Sequence, residues 1–189
     1  DECVEKGVDS IIVISAGFKE SGIDGAARER ELLQKLKAHS IRMVGPNCLG
    51  LINTQANFNA SFAAGMPAQG DVAFFSQSGA LCTSILDWAM GAGMGFSKFI
   101  SMGNKSDIDE VDIIKALDAD PATRVILGYL EGVKNGVEFM EVSRKVAREK
   151  PMIIIKSGGT AAGAKAASSH TGALAGSENA FDAACKQAG

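Results

Sequence analysis

Basic clusters, aromatic residues and closely spaced cysteines are all scarce in this 189-residue chain. Nineteen Lys and Arg against 22 Asp and Glu give a net charge of −3, and the cations are scattered. That distribution leaves no electrostatic footprint for nucleic acid. One Trp, one Tyr and nine Phe provide few platforms for base stacking. Cys3, Cys48, Cys82 and Cys185 form no CxxC pair and no Cys/His ligand spacing. A disulfide framework and a zinc site are therefore not expected, and a reducing, cytoplasmic setting is. No apolar run reaches membrane-spanning length and no signal peptide is recognisable, so no membrane association is expected. The beginning (DECVEKGVDS) and the end (CKQAG) both read as cut from something longer, so the chain is expected to be a fragment.

What is present is ordinary globular composition, 46% hydrophobic and 22% charged, arranged as apolar runs alternating with helical patterns. SIIVIS (10–15) is a β-branched strand. AARERELLQKLKAH (26–39) is a helix with Leu32, Leu33 and Leu36 inward and His39 as a cap at its end. IRMV (41–44) is a second strand, and Gly45–Pro46–Asn47 is a turn signal after it. Residues 51–69 show no clear period and read as a connection between domains. A second series starts at Gly70, with strands at 71–75, 96–102, 124–130 and 151–156. Its helices fall at 80–90, 109–117, 137–148 and 178–186. Strands separated by single helices imply a parallel sheet built from βαβ units. The expected fold is α/β, with this second unit a doubly wound parallel sheet whose fifth strand would lie beyond Gly189. Ligands of such sheets collect at the carboxyl ends of the strands.

Three loops in that position have chemical potential. Ser76–Gln77–Ser78–Gly79 joins a strand to a helix, where backbone amides and the helix dipole favour an anion; the serines also suit plain N-capping. Residues 157–176 are all Gly, Ala, Ser or Thr except Lys165, His170 and Leu174. Gly158 and Gly163 have P-loop spacing, but Ala164 stands where the lysine is needed, which rejects that motif. Gly91–Ala92–Gly93–Met94–Gly95 precedes a strand and so reads as a helix C-cap and turn, not a dinucleotide loop. His170 offers an imidazole able to act as nucleophile or base, or is an ordinary loop histidine. Metal binding is disfavoured because His39, the only other histidine, lies in the other unit. Glu131, at the end of RVILGYLE, is either an exposed loop acid or a carboxylate that fixes the tautomer of a catalytic imidazole.

GPNCLGLIN (45–53), FFSQSGAL (74–81), GYLEG (128–132) and SSHTGALAGS (168–177), in this order, resemble the α-type portion of the NDP-forming acyl-CoA synthetases. Leu49 stands where the succinyl-CoA synthetases typically have Pro, which favours the ADP-forming acetyl/acyl branch. The resemblance implies that residues 1–65 are the end of a Rossmann-type CoA-binding domain and residues 70–189 a flavodoxin-like succinyl-CoA-ligase domain. It makes His170 the phosphorylated histidine and Glu131 the glutamate that orients it. Ser76, Gln77, Ser78 and Gly79 would cradle the phosphate, and Asn47 and Cys48 would lie near CoA and the acyl group. The implied substrates are CoA with ADP or ATP, phosphate, and an acyl-CoA or carboxylate. The implied partner is an ATP-grasp domain or β subunit holding Mg²⁺, in an oligomeric assembly; this fragment alone would carry no metal and would not turn over. Two other readings are a non-catalytic acyl-CoA-sensing region of an acetyltransferase-type fusion and a flavin module, the latter weakened by the lack of aromatics.

Overall fold

The strand expected at 71–75 runs through the middle of the larger sheet. The computed structural model describes residues 1–157 together with 181, 183 and 185–187. In chain order its elements are α1 (Glu2–Glu5), β1 (Ser10–Ile12), α2 (Ile23–Ala38), β2 (Arg42–Val44), β3 (Gly50–Asn53) and β4 (Phe58–Ser61). There follow β5 (Gln69–Ser76), α3 (Gly79–Ala92), β6 (Phe96–Ser101), α4 (Glu110–Ala119), β7 (Val125–Leu130), α5 (Gly136–Val146) and β8 (Met152–Lys156). Residues 181, 183 and 185–187 are helical, within or next to the segment expected to close the chain.

β1 and β2 pair in parallel across α2, a single βαβ unit with its own small core of Leu36, Ile41 and Met43. Leu32 and Leu33 pack against that core, and His39 occupies the C-cap of α2, as their spacing suggested. The other six strands form one sheet in the order β4-β3-β6-β5-β7-β8. β6, β5, β7 and β8 are mutually parallel. Taken in chain order they lie second, first, third, fourth, which is the flavodoxin-like arrangement.

Alternation along β5 explains the apolar run that marks it in the sequence. Ala73 and Phe75 face one core with Ile114, Ile126, Leu130 and Phe139. Phe74 faces another with Cys82, Leu86, Phe96 and Phe99. A strand covered on both faces has no polar side to show. Phe74 and Phe96 flank Phe99 at centroid distances of 5.0 and 5.2 Å. The helices are punctuated as their sequences suggest. Ser78 caps α3 and Gly93 ends it in the left-handed region, while Asp109 and Asp112 form a capping box on α4.

The reading of residues 51–69 as a bare connection is corrected by the hairpin β3–β4. β3 pairs antiparallel with both β4 and β6, so residues 50–61 extend the larger sheet. Each strand has only four residues, too few to print a period. β4 lies at the sheet edge with Phe58 and Asn59 exposed, so burial imposes little apolar pattern there.

The two units meet through polar contacts. Arg42 Nε and Nη2 donate to Asp107 and Asp112 at 3.0 and 3.1 Å, and the Met43 amide donates to Asp107 at 2.8 Å. The amides of Asn104, Ser106 and Ile108 donate to the carbonyls of Pro46, Gly45 and Met43 at 2.8, 3.1 and 3.1 Å. This approach requires glycine at 103. Its φ is +56°, and an added Cβ would lie 2.2 Å from the Pro46 carbonyl oxygen and 2.4 Å from that of Asn47. Gly103→Ala is expected to destabilise the chain by about 2–5 kcal/mol, the sum of left-handed strain and overpacking. Urea unfolding measures it; a loss below about 1 kcal/mol, within the range of ordinary substitutions, would show that the two units separate easily.

Candidate functional site

Strands β5, β6 and β7 end at one rim, and the loops that leave them meet the turn after β2 around a cleft of about 590 Å³. Gln77, Ser78, Gly79 and Glu131 line it from the larger sheet, and Asn47 and Cys48 from the smaller unit. Ser76 lies beneath, wholly buried at the last position of β5.

The two serines of SQSG shape the turn. Ser76 Oγ accepts from the Ser78 amide at 2.9 Å and donates to the Ser78 carbonyl at 3.1 Å. Ser78 Oγ accepts from the Leu81 amide at 3.2 Å as the N-cap of α3. Both hydroxyls are thus engaged locally. The first amides of any helix lack intrahelical acceptors, and those of Gly79 and Ala80 belong to residues lining the cleft. An ideal Cβ at Gly79 would meet nothing within 4 Å. The turn therefore presents backbone to open space at a helix start, where negative charge is favoured.

Glu131 leaves β7 directly into the cleft, half-buried. Its own amide donates to Gln77 Oε1 at 2.7 Å, and the Gly132 amide donates to the same atom at 3.2 Å. From the β6 side, Lys105 Nζ donates to the Gly132 carbonyl and pairs with Glu110 Oε2 at 2.7 Å. Glu110, fully buried, accepts the Lys134 amide on its other oxygen at 2.7 Å. Burial pushes the Lys105 ammonium below the usual lysine range, with Glu110 pulling in the opposite direction.

On the opposite wall Asn47 has φ +57°, donates its amide to the Ser15 carbonyl at 3.0 Å and its Nδ2 to Asn104 Oδ1 at 3.3 Å. Cys48 is 3% exposed, with Sγ donating to the Val13 carbonyl at 3.4 Å. Burial pushes this thiol up, and pushes that of Cys82 to about 12. Neither has the character of a nucleophile at neutral pH.

A polar network that the sequence reading did not single out closes the floor between the units. Asn104 Nδ2 donates to Glu20 at 2.6 Å and to Glu29 at 2.9 Å, while Lys19 Nζ donates to the Asn104 carbonyl at 2.6 Å. For Glu20, burial alone would raise the carboxyl. Hydrogen bonds from Asn104 and from the amides of Phe18 and Gly17 outweigh it and hold the group below the ordinary glutamate value. Glu29, only 6% exposed in the middle of α2, gives no local signal. The MGNKSD loop (102–107) does, since it follows a parallel strand and the same positional rule applies to it.

The structure thus brings Gln77, Ser78, Gly79, Glu131, Asn47 and Cys48 to one cleft, with Ser76 as its support. His170 lies outside the described residues. Among the described residues there is no group of three or more His, Cys, Asp or Glu able to hold a metal ion. Among them, too, no helix is long and apolar enough to cross a membrane.

Known proteins resemble the chain over its whole length. Over its whole length the chain is 51% identical to acetate–CoA ligase (ADP-forming) I of Archaeoglobus fulgidus, covering 28% of that protein. It is 45% identical to the α subunit of acetate–CoA ligase (ADP-forming) II of Pyrococcus furiosus, again across the whole chain and covering 41% of the relative. The chain thus spans well under half the length of these curated relatives. It superposes in full, with a TM-score of 0.95 and 41% identity, on 40% of the dinucleotide-forming acetyl-coenzyme A synthetase 1 of Ca. Korarchaeum cryptofilum, solved in complex with phosphate and ADP. Residues 69–189 match the family model described as the succinyl-CoA ligase like flavodoxin domain, and the chain belongs to that family.

Proposed function

We propose that this chain is the part of an ADP-forming acyl-CoA synthetase in which phosphate, acyl group and a catalytic histidine meet. The observation that carries the reading is the cleft. One side offers the start of α3 and the carboxylate of Glu131, and the other offers the Asn47–Cys48 turn. The reaction would be acyl-CoA + ADP + phosphate ⇌ carboxylic acid + CoA + ATP. Residues 1–65 would form the end of the CoA-binding domain, lending the hairpin β3–β4 to the sheet of the 70–189 domain.

In the first step a phosphate oxygen attacks the thioester carbonyl and CoA leaves as the thiolate, giving an acyl phosphate. His170 Nε2 then attacks phosphorus, the P–O bond to the carboxylate breaks, and the carboxylic acid departs. Glu131, accepting from Nδ1–H, would keep the lone pair on Nε2 and stabilise the positive charge that develops. The amides of Gly79 and Ala80 would neutralise the non-bridging oxygens, which is most of what phosphoryl transfer asks of a protein. The phosphohistidine would hand its group to ADP in an ATP-grasp domain or β subunit, the component assigned Mg²⁺. Cys48, a buried thiol, would serve as wall and not as nucleophile.

The test uses the full-length protein with its ATP-grasp component, acetyl-CoA and radiolabelled phosphate. An acid-labile label is expected on His170, and His170→Asn should remove both the label and ATP formation. Sustained ATP synthesis in that variant would overturn the phosphohistidine route; acyl-CoA binding without any label would favour the sensing role. Glu131→Gln is expected to slow labelling by about 10²–10⁴-fold, the range of a positioned proton-transfer or orienting group, with the unfolding midpoint unchanged. Labelling at the wild-type rate would remove Glu131 from the mechanism.

A further inference from the structure

We infer that Gln77 and the buried Lys105–Glu110 pair are positioning residues that fix the backbone of the Glu131–Lys134 turn, and through it the Glu131 carboxylate. The inference rests on the role proposed for Glu131 and adds what holds it in place.

Glu131 is the first residue beyond β7, where the sheet's own ladder ends. The turn that follows takes its backbone bonds from side chains on two other loops and on the first turn of α4. Two amides, those of Glu131 and Gly132, converge on one atom of Gln77 at 2.7 and 3.2 Å. Two N–H groups aimed at one terminal atom require that atom to be the carbonyl oxygen, which fixes the orientation of the side-chain amide. In the next peptide, the Gly132 carbonyl accepts from Lys105 Nζ. Glu110 then joins the two ends of the device: one oxygen receives Lys105 at 2.7 Å, the other the Lys134 amide at 2.7 Å. Glu110 is 0% exposed and the Lys105 side chain 11%. A buried pair of this kind adds little net stability over an apolar substitute, yet breaking it is costly, so its value lies in geometry. Lys105 itself sits at φ +44°, a conformation that a lysine adopts only when its surroundings impose it.

The same loop is fastened at its other end to the smaller unit. Asn104 reaches Glu20 and Glu29, and its amide donates to the Pro46 carbonyl in the turn that carries Asn47. Residues 103–106 thus form a strap between the wall proposed for CoA and the carboxylate proposed for the histidine. Lys105 Nζ directs two of its three donors to Glu110 and to the Gly132 carbonyl, which ties its ammonium to the turn.

The experiment is a double-mutant cycle in the full-length protein with its ATP-grasp component, reading the rate of acid-labile labelling of His170. Lys105→Met and Gln77→Leu, each alone, are expected to slow labelling by about 10²-fold, the effect of a displacement of about 1 Å, with KM for acetyl-CoA within about twofold of wild type. In a Glu131→Gln background the same substitutions should slow it by less than about threefold, since contacts acting through one group are not additive. Amide exchange at Glu131 and Gly132 should accelerate in Gln77→Leu regardless of activity. Should Lys105→Met fail to fold, Gln77→Leu, which leaves the buried pair intact, carries the test. Full additivity with Glu131→Gln, a rise in KM alone, or unchanged labelling in both variants would each overturn the inference. A wild-type protein that never labels His170 would overturn the proposed function instead, and there faster exchange in Gln77→Leu would still report the clamp.

Discussion

Burial of β5 on both faces, with a parallel neighbour on each side, governs where everything else in the larger unit can lie. Phe75 and Phe74 point into opposite cores, so helices must cover both surfaces of the sheet. Parallel pairing with β6 and β7 then forces every connection to cross over, bringing the carboxyl ends of β5, β6 and β7 to one edge. Because β6 and β7 lie on opposite sides of β5, the loops diverge as they leave the sheet and open a crevice between them. The SQSG turn, the MGNKSD loop and the Glu131 turn are neighbours for that reason, although their sequences are far apart.

The cleft needs its second wall, and the way the two units join reflects a polar solution. Arg42 with Asp107 and Asp112, and Asn104 with Glu20 and Glu29, bridge the two units through charged and polar groups. Half-buried polar groups are costly unless all are paired, and pairing works in few geometries. The contact is therefore demanding about register even where it contributes little net stability. That suits a cleft with one wall from each unit.

Against this background it is clear why some of the site could be read in the sequence. Runs such as RVILGYL and DVAFF are apolar because parallel strands are covered on both faces, and Gly93 and Ser78 are punctuation that helix ends demand. These signals are local. Glu131 and the SQSG turn could be singled out because they directly follow such strands. The hairpin β3–β4 was not legible, since a four-residue edge strand of sequence FNAS leaves almost no burial to record. Nor was the role of Asn104, whose partners lie 75 and 84 residues away in sequence. Glu29 reads as one more charge on an amphipathic helix until Asn104 and Ser106 are seen against it.

The division of labour within SQSG bears on what kind of chemistry the cleft suits. Ser76 Oγ both donates and accepts within the turn, and Ser78 Oγ accepts from the Leu81 amide as the N-cap of α3. The buried thiols of Cys48 and Cys82 are pushed away from the thiolate form. The described residues bring to the cleft the start of α3, the carboxylates of Glu20, Glu29 and Glu131, and the ammonium groups of Lys19, Lys105 and Lys134, set on a braced backbone, which is equipment for holding a charged group still.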